Sequence, residues 1–407
     1  MKNLETALKA ELEENILPFW MERMQDSDGG FYGRIDGNGN LDASAPRGAI
    51  LNARILWTFS SAFRILGNAR YLEAADRAFS YIRDRFIDKE YGGVYWSLDA
   101  EGKPLDDKKQ FYAIAFTVYA LAEYSRICSD SGKVLDLAVS LYRDIEKHSL
   151  TPAGDGYVEA CTRDWGTIAD MRLSDKDQND ALTMNTHLHI LEAYTNLYRV
   201  WKDPQLKVSL ERVINIFLDR IIQGNGHLGL FFGEDWEAHS TAFSYGHDIE
   251  TSWLIYEAAQ VLGEKDIIGK MKDVSYGMAV AALEGFTPEN GMEYEFDPAD
   301  GRRDSSREWW VQAETVVGCI NQYQLTSDPV WMERALAQWE FIEKHIVCPD
   351  GEWYWGAVPS DGGFAPNTDG DRAGFWKCPY HNSRMCLEVI ERKGRSKTPV
   401  PPRRPGK

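Results

Sequence analysis

Three histidines stand at matching places in a repetitive sequence. His189 closes Met184-Asn185-Thr186-His187-Leu188-His189, His247 lies within Tyr245-Gly246-His247-Asp248-Ile249-Glu250, and His381 ends Trp376-Lys377-Cys378-Pro379-Tyr380-His381. Each opens a stretch with the length and apolar spacing of a helix, so each belongs near a helix start. Imidazoles grouped with a guanidinium suit the removal of a carbon-bound proton next to a carbonyl. Such a proton is weakly acidic, so its removal needs a base that is neutral near pH 7 and a cation for the enediolate oxygen. Inverting a stereocentre also needs a donor on the opposite face, hence a second histidine. His381 follows Pro379 in a first helical turn, where the helix dipole disfavours the imidazolium and helps keep the base neutral.

Further groups share the same faces. Asn185 and His189 lie four apart, as do Trp310 and Glu314, while His247 and Glu250 lie three apart. Glu250 either serves chemistry or stabilises its own helix. Tyr112, after Gln110-Phe111, takes the equivalent place in an earlier repeat. Arg54 interrupts the apolar run Ile50, Leu51, Ile55, Leu56. A charge seldom sits in a core unpaired, so Arg54 either neutralises a buried acid or faces a cavity. His187 and His189 are separated by about 200° of helix rotation, so they do not form a two-point metal site. No third close ligand accompanies them, and neither a metal nor another cofactor is expected. His148, His227, His239 and His345 fall in outer helices or turns and read as structural imidazoles. A competing chemistry, glycoside hydrolysis by paired carboxylates, has candidates in Asp177, Glu250, Glu308 and Glu314.

The elements that must position these groups repeat. An apolar helix, a short break, a second amphipathic helix and a Gly-plus-aromatic turn recur, with first helices over 51–65, 111–127, 184–201, 248–262 and 310–325. Second helices are expected over 71–86, 132–148, 204–222, 265–283 and 329–346. A last helix from Tyr380 pairs with an N-terminal one over 1–17, closing the set. From Asn185 to His247 is 62 residues, from His247 to Trp310 is 63, and from Trp310 to His381 is 71. Such a period is the mark of stacked helical pairs. The fold class is therefore all-α: an (α/α)6 barrel of six helical hairpins with short β-hairpin loops. The first helix of each pair is poor in charge, as an inner ring should be, and the second is charged on one face. In this architecture the inner-helix starts converge on one mouth, where all the residues above would meet.

The 407 residues read as one catalytic domain over 1–392 and a basic, proline-rich tail over 393–407, expected to be disordered. The net charge of −18 repels polyphosphates, which argues against a nucleic-acid partner. No 18-residue apolar run suggests a membrane span, and residues 1–17 lack the apolar core of a signal peptide. The six cysteines are scattered without a CxxC pair, as free thiols of a reducing compartment would be. A cytoplasmic location is expected, as a monomer or weak dimer. The 14 Trp and 19 Tyr exceed what a core needs and suit stacking on pyranose rings.

Residues 51–57 (LNARILW), 184–192 (MNTHLHILE), 245–250 (YGHDIE), 308–314 (EWWVQAE) and 376–382 (WKCPYHN) resemble those of the cellobiose 2-epimerase family, within the N-acylglucosamine 2-epimerase superfamily. The similarity runs from about residue 5 to residue 392 and rests on these five spaced motifs. The resemblance implies a metal-independent (α/α)6 barrel that inverts C2 of the reducing-end sugar of β-1,4-linked disaccharides. Cellobiose would become glucosyl-mannose and lactose epilactose, through ring opening, a cis-enediolate and rotation about C2–C3. It also implies that His247 and His381 form the acid/base pair, with His189 assisting at the C1 oxygen and Glu250 orienting His247. Arg54 and Asn185 would bind hydroxyls and the oxyanion, and Tyr112 and Glu314 would complete the polar lining. Trp310 and Trp376 would stack on the sugar, Trp253 would contribute to binding, and Asp177 would touch the sugar from a lid. N-acylglucosamine 2-epimerases and aldose–ketose isomerases carry a similar histidine set and stand as alternatives.

Overall fold

The computed structural model describes residues 2–395. It begins with a rod made of α1 (Lys2–Ala10), a π-helical stretch (Glu11–Ile16) and α2 (Leu17–Glu22). Pro18 has no amide hydrogen to continue the ordinary ladder. The wider π turn before it absorbs the mismatch, with Leu17 N–H reaching back to Leu12 O. The rod thus passes the expected end at residue 17.

Five helical pairs follow: α3 (Ala49–Leu66) with α4 (Ala69–Tyr81), α5 (Phe111–Tyr124) with α6 (Ser131–His148), and α7 (Met184–Val200) with α8 (Pro204–Ile216). Then come α9 (Tyr245–Leu262) with α10 (Lys265–Ala282), α11 (Trp309–Thr326) with α12 (Pro329–His345), and finally α13 (Tyr380–Arg395). Among the described residues the first helix of each pair, with α13, forms a closed inner ring. α3 packs on α5, α5 on α7, α7 on α9, α9 on α11, α11 on α13 and α13 back on α3. The outer helices lie behind their partners, and α1 backs α13. This is the (α/α)6 barrel. The charge pattern explains the layering: every residue of α5 is buried, whereas α6 buries one face through Val134, Ala138, Leu141, Tyr142 and Ile145.

Helix boundaries differ from expectation for local reasons. α5 stops at Tyr124 rather than 127 because Ser125 Oγ donates to Ala122 O and Arg126 N–H to Glu123 O, tightening the chain into a turn. α9 and α11 start earlier than 248 and 310 because a two-residue strand runs straight into each. α13 continues to Arg395, past residue 392, and the rest of the basic tail, 396–407, lies outside the described residues.

Those strands organise the mouth. Arg47–Gly48, Lys109–Gln110, Leu182–Thr183, Phe243–Ser244 and Arg307–Glu308 each immediately precede an inner helix. Each pairs antiparallel with a strand from the following loop, so neighbouring helix starts are laced together. The glycine turns at the other ends of the outer helices are pinned by short antiparallel bridges, such as Ile87 to Val94 and Leu150 to Tyr157. No described helix is long and apolar enough to cross a membrane, and all six cysteines are free.

The N-terminal rod is fastened to the last inner helix by one buried carboxylate. Glu352, in the turn after α12, accepts from Trp20 Nε1 at 2.5 Å, Lys377 Nζ at 2.7 Å and Asn382 Nδ2 at 2.5 Å. Lys377 is fully buried, so loss of its partner strands a charge. Glu352→Ala is therefore expected to destabilise the protein by about 3–5 kcal/mol. Denaturant unfolding checks this, and an effect below 1 kcal/mol would be incompatible with the fastening.

Candidate active site

Strand-to-helix junctions place His189 and His247, and the first turn of α13 places His381. Thr183 caps α7 by accepting from Thr186 N–H at 3.2 Å, and Ser244 caps α9 by accepting from His247 N–H at 3.4 Å. His189, His247 and His381 thereby reach one cavity of about 910 Å³, including its open mouth. Its wall includes Arg54, Tyr112, Asp177, Asn185, Glu250, Trp310 and Trp376. Trp310 lies against both expected proton-transfer groups, its ring centroid 4.7 Å from that of His247 and 5.7 Å from that of His381. His247 and His381 thus share one space.

His381 Nδ1 lies 2.7 Å from Glu314 Oε1, and His189 Nδ1 lies 3.0 Å from Glu192 Oε2. Facing carboxylate oxygens, both Nδ1 atoms are donors, which leaves Nε2 of each ring as a lone pair. Burial lowers the pKa of His189 to about 4 and that of His247 to about 3. Burial, then the guanidiniums of Arg54 and Arg384, push His381 well below its ordinary value. All three rings are neutral near pH 7. The helix dipole offered from sequence for His381 is not needed to explain this.

Beneath the imidazoles lies a group that sequence reading missed. Arg384 is fully buried and donates to Glu192, to Glu250 and, at 2.6 Å, to Glu314. Tyr380 joins it through Glu192. Burial alone would raise Glu192, but Arg384, His189 and Tyr380 outweigh it and hold the pKa at about 2. For Glu250, burial and the nearby Glu314 outweigh Arg384, and the pKa rises to about 8. Glu250, Glu314 and His381 each offer an atom within 4.8 Å of the others, a spacing a cation could use. The guanidinium of Arg384 already supplies positive charge to both of these carboxylates.

Three expected roles need correction. Glu250 does not orient His247: the Nδ1 of His247 lies 2.9 Å from Ser244 Oγ, while Glu250 turns towards Arg384 and lies 3.9 Å from His381 Nδ1. Glu314 is not a lining residue but is buried below the cavity, where it holds His381. Trp253 does not face the cavity either. It is 1% exposed, donates to Glu314 Oε2 at 3.0 Å and lies under Arg384. All three departures have one cause: these side chains sit further along their helices than the residues at the mouth.

Arg54 faces the cavity rather than a buried acid. Its Nη2 donates to Tyr112 Oη at 2.9 Å and its guanidinium lies 4.1 Å above the Phe116 ring. Among the described residues it has no carboxylate partner, and its Nε has no hydrogen-bond partner. Asp177 reaches the wall from the loop before α7, where its carboxylate accepts from Ser174 N–H and Oγ. Among the described residues Asn185 Oδ1 has no hydrogen-bond partner. His187 is structural, with Nδ1 donating to Thr183 O at 2.6 Å and Nε2 accepting from Tyr157 N–H. His227 is tied to Asp248 and His239 to Asp180, while His148 stacks on Trp165 and His345 lies tilted against Phe341. The cavity also contains Leu173, Ser174, Lys176, Tyr294, Glu308, Trp309 and Trp355, which were not singled out from sequence as site residues, Glu308 apart.

Comparison with known proteins fits this site. The family model for N-acylglucosamine 2-epimerase matches residues 30–370. The chain belongs to the N-acylglucosamine 2-epimerase family. It is 51% identical to a cellobiose 2-epimerase of Bacteroides fragilis over 95% of this chain and 98% of that one. It is 39% identical to a cellobiose 2-epimerase of Ruminococcus albus over 95% of this chain and 98% of that one. The solved structure of cellobiose 2-epimerase from Bacillus thermoamylovorans B4167 superposes with a TM-score of 0.90 at 38% identity, covering 96% of this chain and 100% of that one.

The raised pKa of Glu250 carries a pH signature. The folded state holds a proton there that the unfolded chain has released, so stability declines as pH rises from about 4.5 towards 8. Glu250→Gln removes that contribution. Relative to wild type, the variant is expected to gain stability steadily between pH 5 and pH 8. Thermal midpoints across that range test it, and parallel profiles for the two proteins would contradict it.

Proposed function

We propose that this family member epimerises C2 at the reducing end of β-1,4-linked disaccharides, interconverting cellobiose and glucosyl-mannose. The observation that carries the reading is a pair of neutral imidazoles, His247 and His381, that line one cavity and both lie against the ring of Trp310. A neutral ring can accept a proton from C2, and the other, once protonated by water, can return one. Identity to the cellobiose 2-epimerases of B. fragilis and R. albus over nearly the whole chain supports the substrate class.

The steps follow from the groups present. His189, with its Nδ1–H given to Glu192, exposes Nε2 to the sugar and assists opening of the reducing-end ring. One of His247 and His381 removes the C2 proton, and electrons move onto the C1 oxygen to form a cis-enediolate. Arg54 is a buried cation without a carboxylate, an arrangement that costs energy until an anion arrives. It stabilises the enediolate oxygen, with Asn185 and Tyr112 holding hydroxyls. Rotation about C2–C3 presents the opposite face to the second imidazole, which, once protonated by water, delivers that proton to C2 while the first ring releases its own to water. Ring closure completes the reaction. Glu314 and Glu192 act as positioning residues, fixing the tautomers of His381 and His189.

Purified protein incubated with cellobiose in D2O is expected to yield glucosyl-mannose with deuterium at C2. His381→Ala is expected to keep the fold while losing about 10²–10⁴-fold in that exchange. A ketose as the main product would instead indicate an aldose–ketose isomerase, and free glucose a glycosidase. Trp376→Ala should raise KM with kcat little changed, by on the order of 1 kcal/mol for a stacking contact. A fall in kcat at constant KM would exclude that role.

A further inference from the structure

One carboxylate in the cavity wall is committed to two aromatic side chains at once. Glu308 Oε2 accepts from Trp310 Nε1 at 2.9 Å, and its Oε1 accepts from Trp355 Nε1 at 3.1 Å. Trp310 is the ring that touches both His247 and His381. Trp355 lines the same cavity, edge-on to Trp309 at 4.7 Å. Both indoles are backed by glycine. A Cβ at Gly246 would fall 2.7 Å from Trp310 Cη2, and one at Gly370 would fall 2.4 Å from Trp355 Cγ. Neither ring can retreat, so the carboxylate sets where each stands along the wall. Glu308 itself ends the strand Arg307–Glu308 and precedes α11, on a backbone fixed by pairing with Gly356 and Ala357.

We infer that Glu308 is a positioning residue that joins the tryptophan beside the proton-transfer groups to a second tryptophan forming a stacking platform for the non-reducing glycosyl unit. The inference rests on the disaccharide reading above and deepens it. A sugar ring needs a flat partner at fixed tilt, because its CH face is apolar and its hydroxyls are not. A lone indole on an open wall turns about two side-chain torsions. Two indoles anchored to the two oxygens of one carboxylate lose that freedom before the sugar arrives, and binding then costs less ordering. A monosaccharide leaves the Trp355 end of the wall unused.

The substitutions separate this role from chemistry. Glu308→Gln keeps one acceptor oxygen but sets its amide NH₂ against the other indole N–H, so one anchor survives. Glu308→Ala removes both. Wild-type turnover of cellobiose in D2O is the first measurement, and its absence overturns the disaccharide reading, not the anchorage. The second is calorimetric binding of cellobiose and of glucose to wild type, Glu308→Gln, Glu308→Ala, Trp355→Phe and the Glu308→Ala/Trp355→Phe double variant. Cellobiose affinity is expected to fall about 10-fold in Glu308→Ala and by less in Glu308→Gln, with glucose affinity nearly constant and circular dichroism unchanged. The double variant should be no weaker than the weaker single variant, because both act through the same ring. Where turnover is present, the loss should appear in KM rather than kcat. Additive losses in the double variant, equal losses for glucose and cellobiose, or a loss confined to kcat would each overturn the inference.

Discussion

The guanidinium of Arg384 is the interaction on which the rest of the site depends. Glu192, Glu250 and Glu314 come from three different inner helices and meet inside a ring from which water is largely excluded. Without a cation, burial and mutual repulsion would protonate them. Arg384, on a fourth helix, donates to all three and divides them. Glu192 stays ionised at a pKa of about 2, whereas Glu250 rises to about 8. The cluster can therefore offer carboxylate oxygens to imidazole Nδ1 atoms without filling the interior with negative charge. In return, the two guanidiniums near His381 help hold it neutral. A replacement of the whole cluster by apolar side chains could keep the barrel folded, but it would leave His189 and His381 free to choose the wrong tautomer.

Much of this architecture was legible in the sequence, for a simple reason. Burial on all sides and burial on one side leave different charge patterns, so the inner and outer helices could be told apart from residues such as Ala113 to Leu121 against Glu211 and Arg212. The period then placed His189, His247, Trp310 and His381 at equivalent positions, and all four do meet. Arg384 and Glu192 were visible in principle, since each lies three residues beyond a histidine already singled out. Glu192 even falls inside the segment MNTHLHILE. They were passed over because a charge on an inner helix reads as either a ligand group or a buried pair, and only the partner decides which. That partner is on another helix. Glu250, Glu314 and Trp253 were misread for the same reason: helical spacing gives the face of a residue but not its depth in the ring.

Depth proves to be the organising variable. The site is built in two layers separated by one helical turn, about 5.4 Å. His189, His247, Trp310 and His381 form the upper layer, open to the cavity. Three or four residues further along the same helices, Glu192, Glu250, Glu314 and Arg384 form the lower one. Within α7 the support is local, His189 resting on Glu192 of its own helix. Elsewhere it crosses helices: His381 on α13 rests on Glu314 of α11, and Arg384 on α13 reaches Glu250 of α9. A proton-transfer group held from its own helix moves with that helix alone. One held from its neighbour is fixed only when the ring is closed and both helices are in register. Closure between the N-terminal rod, α13 and α3 is therefore more than a cap on an open edge. It is what brings the last histidine, supplied by the last helix of the barrel, into line with residues that the chain laid down some 70 to 190 positions earlier.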